Sequence, residues 1–358
     1  MRLIGRNGKN WGSVFVAVLV LYFGALVGVS AQHLASNTPA QGDSTGILLP
    51  ASRRVVFDSA AFAPGNVIGY WDKGFYVSRE RETTQPDLPN VRLYDANGNK
   101  VLEGRIWLPE AVSVVLRDAG VTHDRRILAA GFATKADGTH AEFLALTNTK
   151  GKLVRVIRTN PFMVHSACAG RDGTVWAFGG ERINPETDPT AAGSVRAIRQ
   201  FDWERGQLGA YLPMSEFTPA TPLSAFAFMN CTADRLIVYS VAGNQFIEFK
   251  FRDHSVRHWD TENSSFELRP RGLALTESGD VYTSRWNDMD PHSVPGLYHL
   301  RLDEETGTVN WEPVLDKALL NHEAQGGIVY VWGADGNTLV FSRADEGFPV
   351  FYWSRVSE

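Results

Sequence analysis

The sequence predicts an all-β fold, a six-bladed β-propeller of four-stranded antiparallel blades, and three observations carry that reading. A two-hairpin unit recurs: residues 167–181, 225–240, 269–285 and 326–343 each hold a short apolar run, a polar turn and an alternating run. Second hairpins follow, as in 198–212 and 297–311, and repeats of roughly 40 to 50 residues with four short strands read as propeller blades. Runs such as Val175-Trp176-Ala177-Phe178 and Phe246-Ile247-Glu248-Phe249 alternate with the period of half-buried strands. Helix signals are scarce, since no window joins apolar residues at i, i+3, i+4 and i+7 to a capping box.

The N-terminus reads as an address. Arg2, Arg6 and Lys9 form a basic region, Trp11 to Val29 is uncharged and mostly apolar, and Val29-Ser30-Ala31 offers small residues at a cleavage site. A secretory signal over 1–31, cleaved after Ala31, is expected, with a secreted or periplasmic destination. The apolar stretch is nearly long enough to span a bilayer, so an uncleaved anchor stays open. Residues 32–50 lack periodicity and read as a flexible leader without a strand. The single propeller domain is placed at 51–358.

Six first-hairpin turns set the blade count. They fall at 72–74, 123–125, 171–173, 233–235, 277–279 and 334–336, rich in Asp and Gly. Tight turns need left-handed backbone or a side chain that bonds its own turn, which explains that composition. Second hairpins are legible at 91–108, 143–157, 198–212, 246–259 and 297–314. The last unit reaches only a third strand, 348–356, so residues 53–58 at the other end are expected to supply the fourth. That pairing would close the ring and remove exposed sheet edges.

Charge and cysteines narrow the function classes. Without the three basic residues of the signal, 32 Lys and Arg face 40 Asp and Glu, and no basic cluster appears. Nucleic acid is excluded as the main partner, and so is an anionic membrane surface. Cys168 and Cys231 fall on inner strands of neighbouring blades. An exported chain with an even cysteine count permits a disulfide. Adjacent inner strands usually lie further apart than a disulfide tolerates, so two free thiols are the expected state.

The unit 269–285, through Pro270, Gly272, Gly279 and Tyr282, resembles the first hairpin of NHL-repeat propellers and of the wider superfamily that includes gluconolactonase-like proteins. The match is good there, partial in 167–181 and 326–343, and faint elsewhere. The resemblance implies the six-bladed architecture. Lactonase members hold a divalent cation through a Glu, Asn and Asp set; the first unit here, Pro64 to Trp71, has no Glu at its start. The peptide-amidating lyases of the same superfamily use several His ligands, and no full set can be placed. No cofactor is expected, and a divalent cation only under the enzyme reading.

Candidate binding residues follow from blade wiring. The B–C loops 79–90, 180–194 and 285–296 are long and lie on the face opposite the first-hairpin turns; loops on a rigid scaffold carry binding groups. Strand B ends in Arg79, Arg285 and Arg343 in units one, five and six, consecutive around a closed ring. Three guanidiniums there would either converge on an anion or brace their own loops through nearby carboxylates. Inner strands add His165, Arg271, His322, Glu323 and Gln325, with Asn230 deeper along its strand. His165, His322 and Glu323 lack metal-motif spacing, so no metal site is assigned. The remaining histidines, His299 among them, read as leader, turn or outer-strand surface residues. No nucleophile elbow or phosphate-cradling loop is present. The expectation is a monomeric, non-catalytic exported scaffold that binds a small anionic molecule or a protein through the long-loop face. The alternative is a lactonase-like hydrolase or lyase acting on a small polar or anionic substrate at the channel mouth.

Overall fold

A computed structural model of the chain describes residues 46–58, 67–181, 196–213, 227–240, 245–260, 268–285, 296–303, 305–316, 329–343 and 349–357. Residues 1–45, with the expected signal and most of the expected leader, lie outside the described residues. All regular secondary structure among the described residues is β.

Strands β1 (Gly46–Leu48) and β2 (Arg53–Val56) precede the first blade. That blade runs through β3 (Val67–Asp72) and β4 (Phe75–Glu80), then past a short β5 (Glu82–Thr83) to β6 (Val91–Tyr94) and β7 (Lys100–Gly104). Blade two is β8 (Ala111–Val121), β9 (Ile127–Lys135), β10 (His140–Thr147) and β11 (Leu153–Arg158). Blade three is β12 (Phe162–Ala169), β13 (Val175–Glu181), β14 (Arg196–Asp202) and β15 (Gly206–Pro213). Blade four is β16 (Ala227–Cys231), β17 (Arg235–Ser240), β18 (Gln245–Lys250) and β19 (Val256–Asp260). Blade five is β20 (Leu268–Leu275), β21 (Val281–Arg285), β22 (Gly296–Leu302) and β23 (Val309–Asp316). The last hairpins are β24 (Val329–Asp335), β25 (Thr338–Arg343) and β26 (Val350–Ser354), and β27 (Val356–Ser357) ends the chain's regular structure. Six antiparallel blades form a propeller, as the repeat predicts.

The turn residues act as their chemistry requires. Lys73 and Gly74 have φ of 47° and 83°, so the two-residue turn between the paired Asp72 and Phe75 is of the mirror-image type that matches strand twist. In the longer turns an Asp gathers its own loop: the Thr122, Thr174 and Thr232 hydroxyls donate to Asp124, Asp172 and Asp234 at 2.5, 2.6 and 2.6 Å. Apolar side chains then interleave between blades. Ile237, Phe246 and Trp259 of blade four pack with Leu275, Val281 and Leu300 of blade five, and each such fully buried side chain contributes about 1.5–3 kcal/mol.

The chain's two ends close the ring. Strand β2 pairs antiparallel with β26, Arg53 opposite Trp353 and Val56 opposite Val350, and completes the sixth blade. The leader differs from expectation at its end. Residues 46–48 form β1, parallel to β23 and antiparallel to β27, so both termini also extend blade five. Three residues, Gly-Ile-Leu, are too short to show a period, which is why the sequence concealed the strand.

Among the described residues, three inner strands carry a one-residue β-bulge at mid-strand. The register shifts around Arg117 in β8, His165 in β12 and Trp332 in β24. A bulge adds one unpaired residue and re-aims its side chain. Glycine in the partner strand makes room: a β-carbon on Gly131 would lie 2.0 Å from the Val115 carbonyl oxygen, and one on Gly179 2.0 Å from that of Met163. Both glycines sit opposite the residue just before a bulge, the close backbone approach that a strand glycine signals.

Candidate functional site

Polar side chains near the channel stitch several blades to their neighbours. Asp72 accepts from the Val121 amide at 2.7 Å, and Asp118 from the Ala167 amide at 2.8 Å. The Asn230 side-chain amide donates to the Leu273 carbonyl at 3.0 Å. The buried Arg79 donates to the Leu116 carbonyl at 2.5 Å and to that of Arg117. These bonds run from blade one to two, two to three and four to five. Arg79 therefore braces the neighbouring blade, while the adjacent Glu80 pairs with Arg92 at 3.1 Å. Arg343 lies over the Tyr352 ring, 4.6 Å from its centroid. The side chains of Arg271 and Arg285, and residues His322, Glu323 and Gln325, lie outside the described residues.

The first long loop also turns inward. Strand β5 adds to the inner strand of blade two, Glu82 opposite Val115 and Thr83 opposite Val114, and Asn90 is buried with its amide bonded both ways to the Ile106 backbone at 2.9 Å. Loop 79–90 is thus an inter-blade strap. Most of the other two long loops lies outside the described residues.

The bulge at His165 places a largely buried imidazole beside Arg117. Burial first, and then the Arg117 guanidinium, lower its pKa from 6.5 to about 4, so it stays neutral at neutral pH. A base with a depressed pKa in the folded state costs stability as pH falls, because the unfolded chain takes up the proton first. The cost accrues between pH 6.5 and about 4 and is bounded at about 3 kcal/mol by the 1.36 kcal/mol per pKa unit. His165→Asn should flatten this part of the stability profile, measured by urea unfolding across the window; parallel profiles for parent and variant would refute the assignment.

At the turn end of the channel sits a polar cluster. Lys73 Nζ lies 2.9 Å from Asp72. Burial pulls this ammonium's pKa down, but Asp72, together with Cys231 and Cys168, more than offsets that and leaves it raised. Asp118, raised by burial against the pull of Arg79, accepts from the Ala119 amide and the Tyr70 hydroxyl as well as from Ala167. Among the described residues no group of three or more His, Cys, Asp or Glu has the geometry of a metal site.

A cleft of about 320 Å³ opens on the same turn face, between blades four and five. Ile237, Trp259, Leu300 and Leu302 supply its apolar wall, and Arg235, Lys250, Arg257 and Arg301 its cations, against Glu248 and Asp280. The strands space these charges regularly, with Arg235 opposite Lys250 and Glu248 opposite Arg257. Arg235 is fixed by Glu248 at 2.8 Å. His299 stands between Asp280 at 3.4 Å and Glu312 at 3.8 Å and stacks on Tyr282 at 4.7 Å. Its side chain is only 12% exposed, which corrects its reading as a surface residue. The hydrogen bond from His299, helped by that from Ser278, overcomes burial and holds the Asp280 carboxyl at about 2. The residues of this cleft come from four strands and a turn, so no local motif marks it.

No family model matches the chain, and no curated protein matches it. Solved structures do. A Bacteroides fragilis protein inferred to be exported is 12% identical with a TM-score of 0.51, over 90% of this chain and 98% of that one. The PQQ-bound aldose sugar dehydrogenase of Streptomyces coelicolor is 14% identical, TM-score 0.46, over 88% and 99%. The periplasmic gluconolactonase of Pseudomonas aeruginosa is 13% identical, TM-score 0.42, over 75% and 77%. The chain is a six-bladed β-propeller. Propellers host binding and catalysis alike, so function is argued from the site.

Proposed function

We propose that this chain is an exported propeller that binds a small organic acid without transforming it, in the cleft between blades four and five. The observation that carries the reading is the cleft's composition: four cationic side chains against two carboxylates. Arg offers paired donors to a carboxylate. Binding is favoured over catalysis because Asp280, held at about 2, is a weak base, far from the pKa near 7 that proton transfer at neutral pH favours.

Succinate, a plain dicarboxylate, is the probe. Titration calorimetry should detect its binding at low ionic strength, and Lys250→Glu should weaken it by roughly tenfold or more with the melting temperature unchanged. Arg301→Glu should weaken it too, with some loss of stability because Arg301 also bonds Glu312 at 2.8 Å. Absence of heat with the parent protein, or equal affinity in both variants, would reject the site. A second reading, a hydrolase or lyase at the channel mouth, has His165 in its favour, since a buried neutral imidazole is fit to ligate a divalent cation. Stoichiometric metal in the purified protein would favour that reading.

A further inference from the structure

The inner strands of blades three and four run side by side, and each carries a cysteine near its turn end. Cys168 is the penultimate residue of β12 and Cys231 the last of β16. Both are free thiols, and they share one packed cluster with Trp176, Leu236 and Phe249. The two side chains interact directly, and Cys168 is pushed well up, by burial first and then by the Cys231 thiol. The Lys73 ammonium lies close enough to both sulfurs to interact with each. The two sulfurs are thus within interaction range of each other across this seam.

We propose that Cys168 and Cys231 are a dithiol modification site that closes reversibly to a disulfide, clamping blade three to blade four. The seam has no backbone ladder across it, since each blade is its own sheet. Elsewhere around the ring, side chains such as Asp72, Asp118 and Asn230 cross such seams with hydrogen bonds. The oxidant is a small-molecule or protein disulfide. Cys231, the more exposed of the two, loses its proton and attacks one sulfur of that disulfide, forming a mixed disulfide and expelling one thiolate. Cys168 then loses its proton and attacks the Cys231 sulfur, expelling the second thiolate. One protein disulfide and two small thiols result, with two electrons passed to the oxidant and both protons accepted by solvent or the leaving thiolates. The Lys73 ammonium favours each transient thiolate, as a nearby cation does.

The test uses the folded full chain and oxidised glutathione. After acid quench and alkylation, mass spectrometry should show a monomer lighter by two hydrogens with no alkylatable thiol, and reduction should restore both. The melting temperature of the oxidised form should rise by roughly 5 °C, because the bond closes a long loop. In Cys168→Ser, Cys231 should stop at the glutathione adduct. In Cys231→Ser, Cys168 should react at least roughly tenfold more slowly. Timed alkylation of the unsubstituted chain, in which Cys231 should label first, gives the same discrimination if a variant does not fold. Two alkylatable thiols persisting after exhaustive oxidation of the folded chain would overturn the proposal, and so would disulfide-linked dimers in place of the internal bond.

Discussion

A chain truncated to start at residue 59 should melt far below one that starts at residue 46, and it should associate. Strand β2 is the outer strand of blade six, paired residue by residue with β26. Arg53 lies over the Trp353 ring at 5.2 Å and Arg54 over that of Tyr352 at 6.0 Å. Just past the strand, Phe57 is 2% exposed. Its ring lies 4.3 Å from that of Phe351 in blade six and 5.7 Å from that of Tyr76 in blade one. Loss of Phe57 alone costs about 3–5 kcal/mol by the standard of large-to-small core changes. The bare β26 edge then presents unpaired backbone groups to other chains. A start at residue 51 removes β1, which lies between β23 and β27 at the outside of blade five, and should lie between the two. Calorimetry with light scattering on the three truncations decides it; equal melting temperatures for starts at 46 and 59 would sink the closure argument.

Closure was legible because it is a counting problem. Five complete units, a sixth lacking one strand and an orphan strand at the other end leave one sensible pairing. The turns were legible for a similar reason, since residues such as Asp124 and Gly74 are chosen by local backbone geometry. The cross-blade contacts were hidden. Nothing in a window around Arg79 reveals that its guanidinium reaches carbonyls of β8, and nothing near Asn230 points to Leu273. Bulges shift the inward phase by one residue, as from Val114 and Leu116 to Ala119 and Val121 in β8, and that changes which side chains meet across a seam. The cleft was hidden because its charges, Arg235, Lys250 and His299, sit on separate strands, where each reads as an ordinary solvent-facing position. His299 in particular owes its burial to Tyr282 on the neighbouring strand and to carboxylates from a turn and the next strand.

Arg117→Met should be among the most damaging single substitutions in the chain, and Glu142→Met in the same molecule should recover much of the loss. The bulge in β8 turns Arg117 into a seam where its guanidinium meets Glu142 through both terminal nitrogens, at 2.5 and 2.9 Å. It also donates to the Val164 carbonyl of blade three at 3.2 Å and stacks on Phe132 at 4.8 Å. Glu142 is 5% exposed, so removing the arginine leaves a carboxylate in a poorly solvated place. Breaking a buried pair from one side costs about 3–5 kcal/mol, whereas replacing both partners by apolar groups is often close to neutral. The Val164 carbonyl loses its partner in either variant, which adds about 1–3 kcal/mol that the second substitution does not return. The expected order of stability is parent, double variant, single variant, with a coupling energy of at least about 1 kcal/mol in the double-mutant cycle. A second readout separates this pair from general packing damage. Arg117 is one of the two causes that depress His165, after burial, so the imidazole should titrate at higher pH in both Met variants, as followed by its ring proton resonances. Additive losses in the cycle, or a His165 titration that does not move, would show that the guanidinium acts only as a packed side chain.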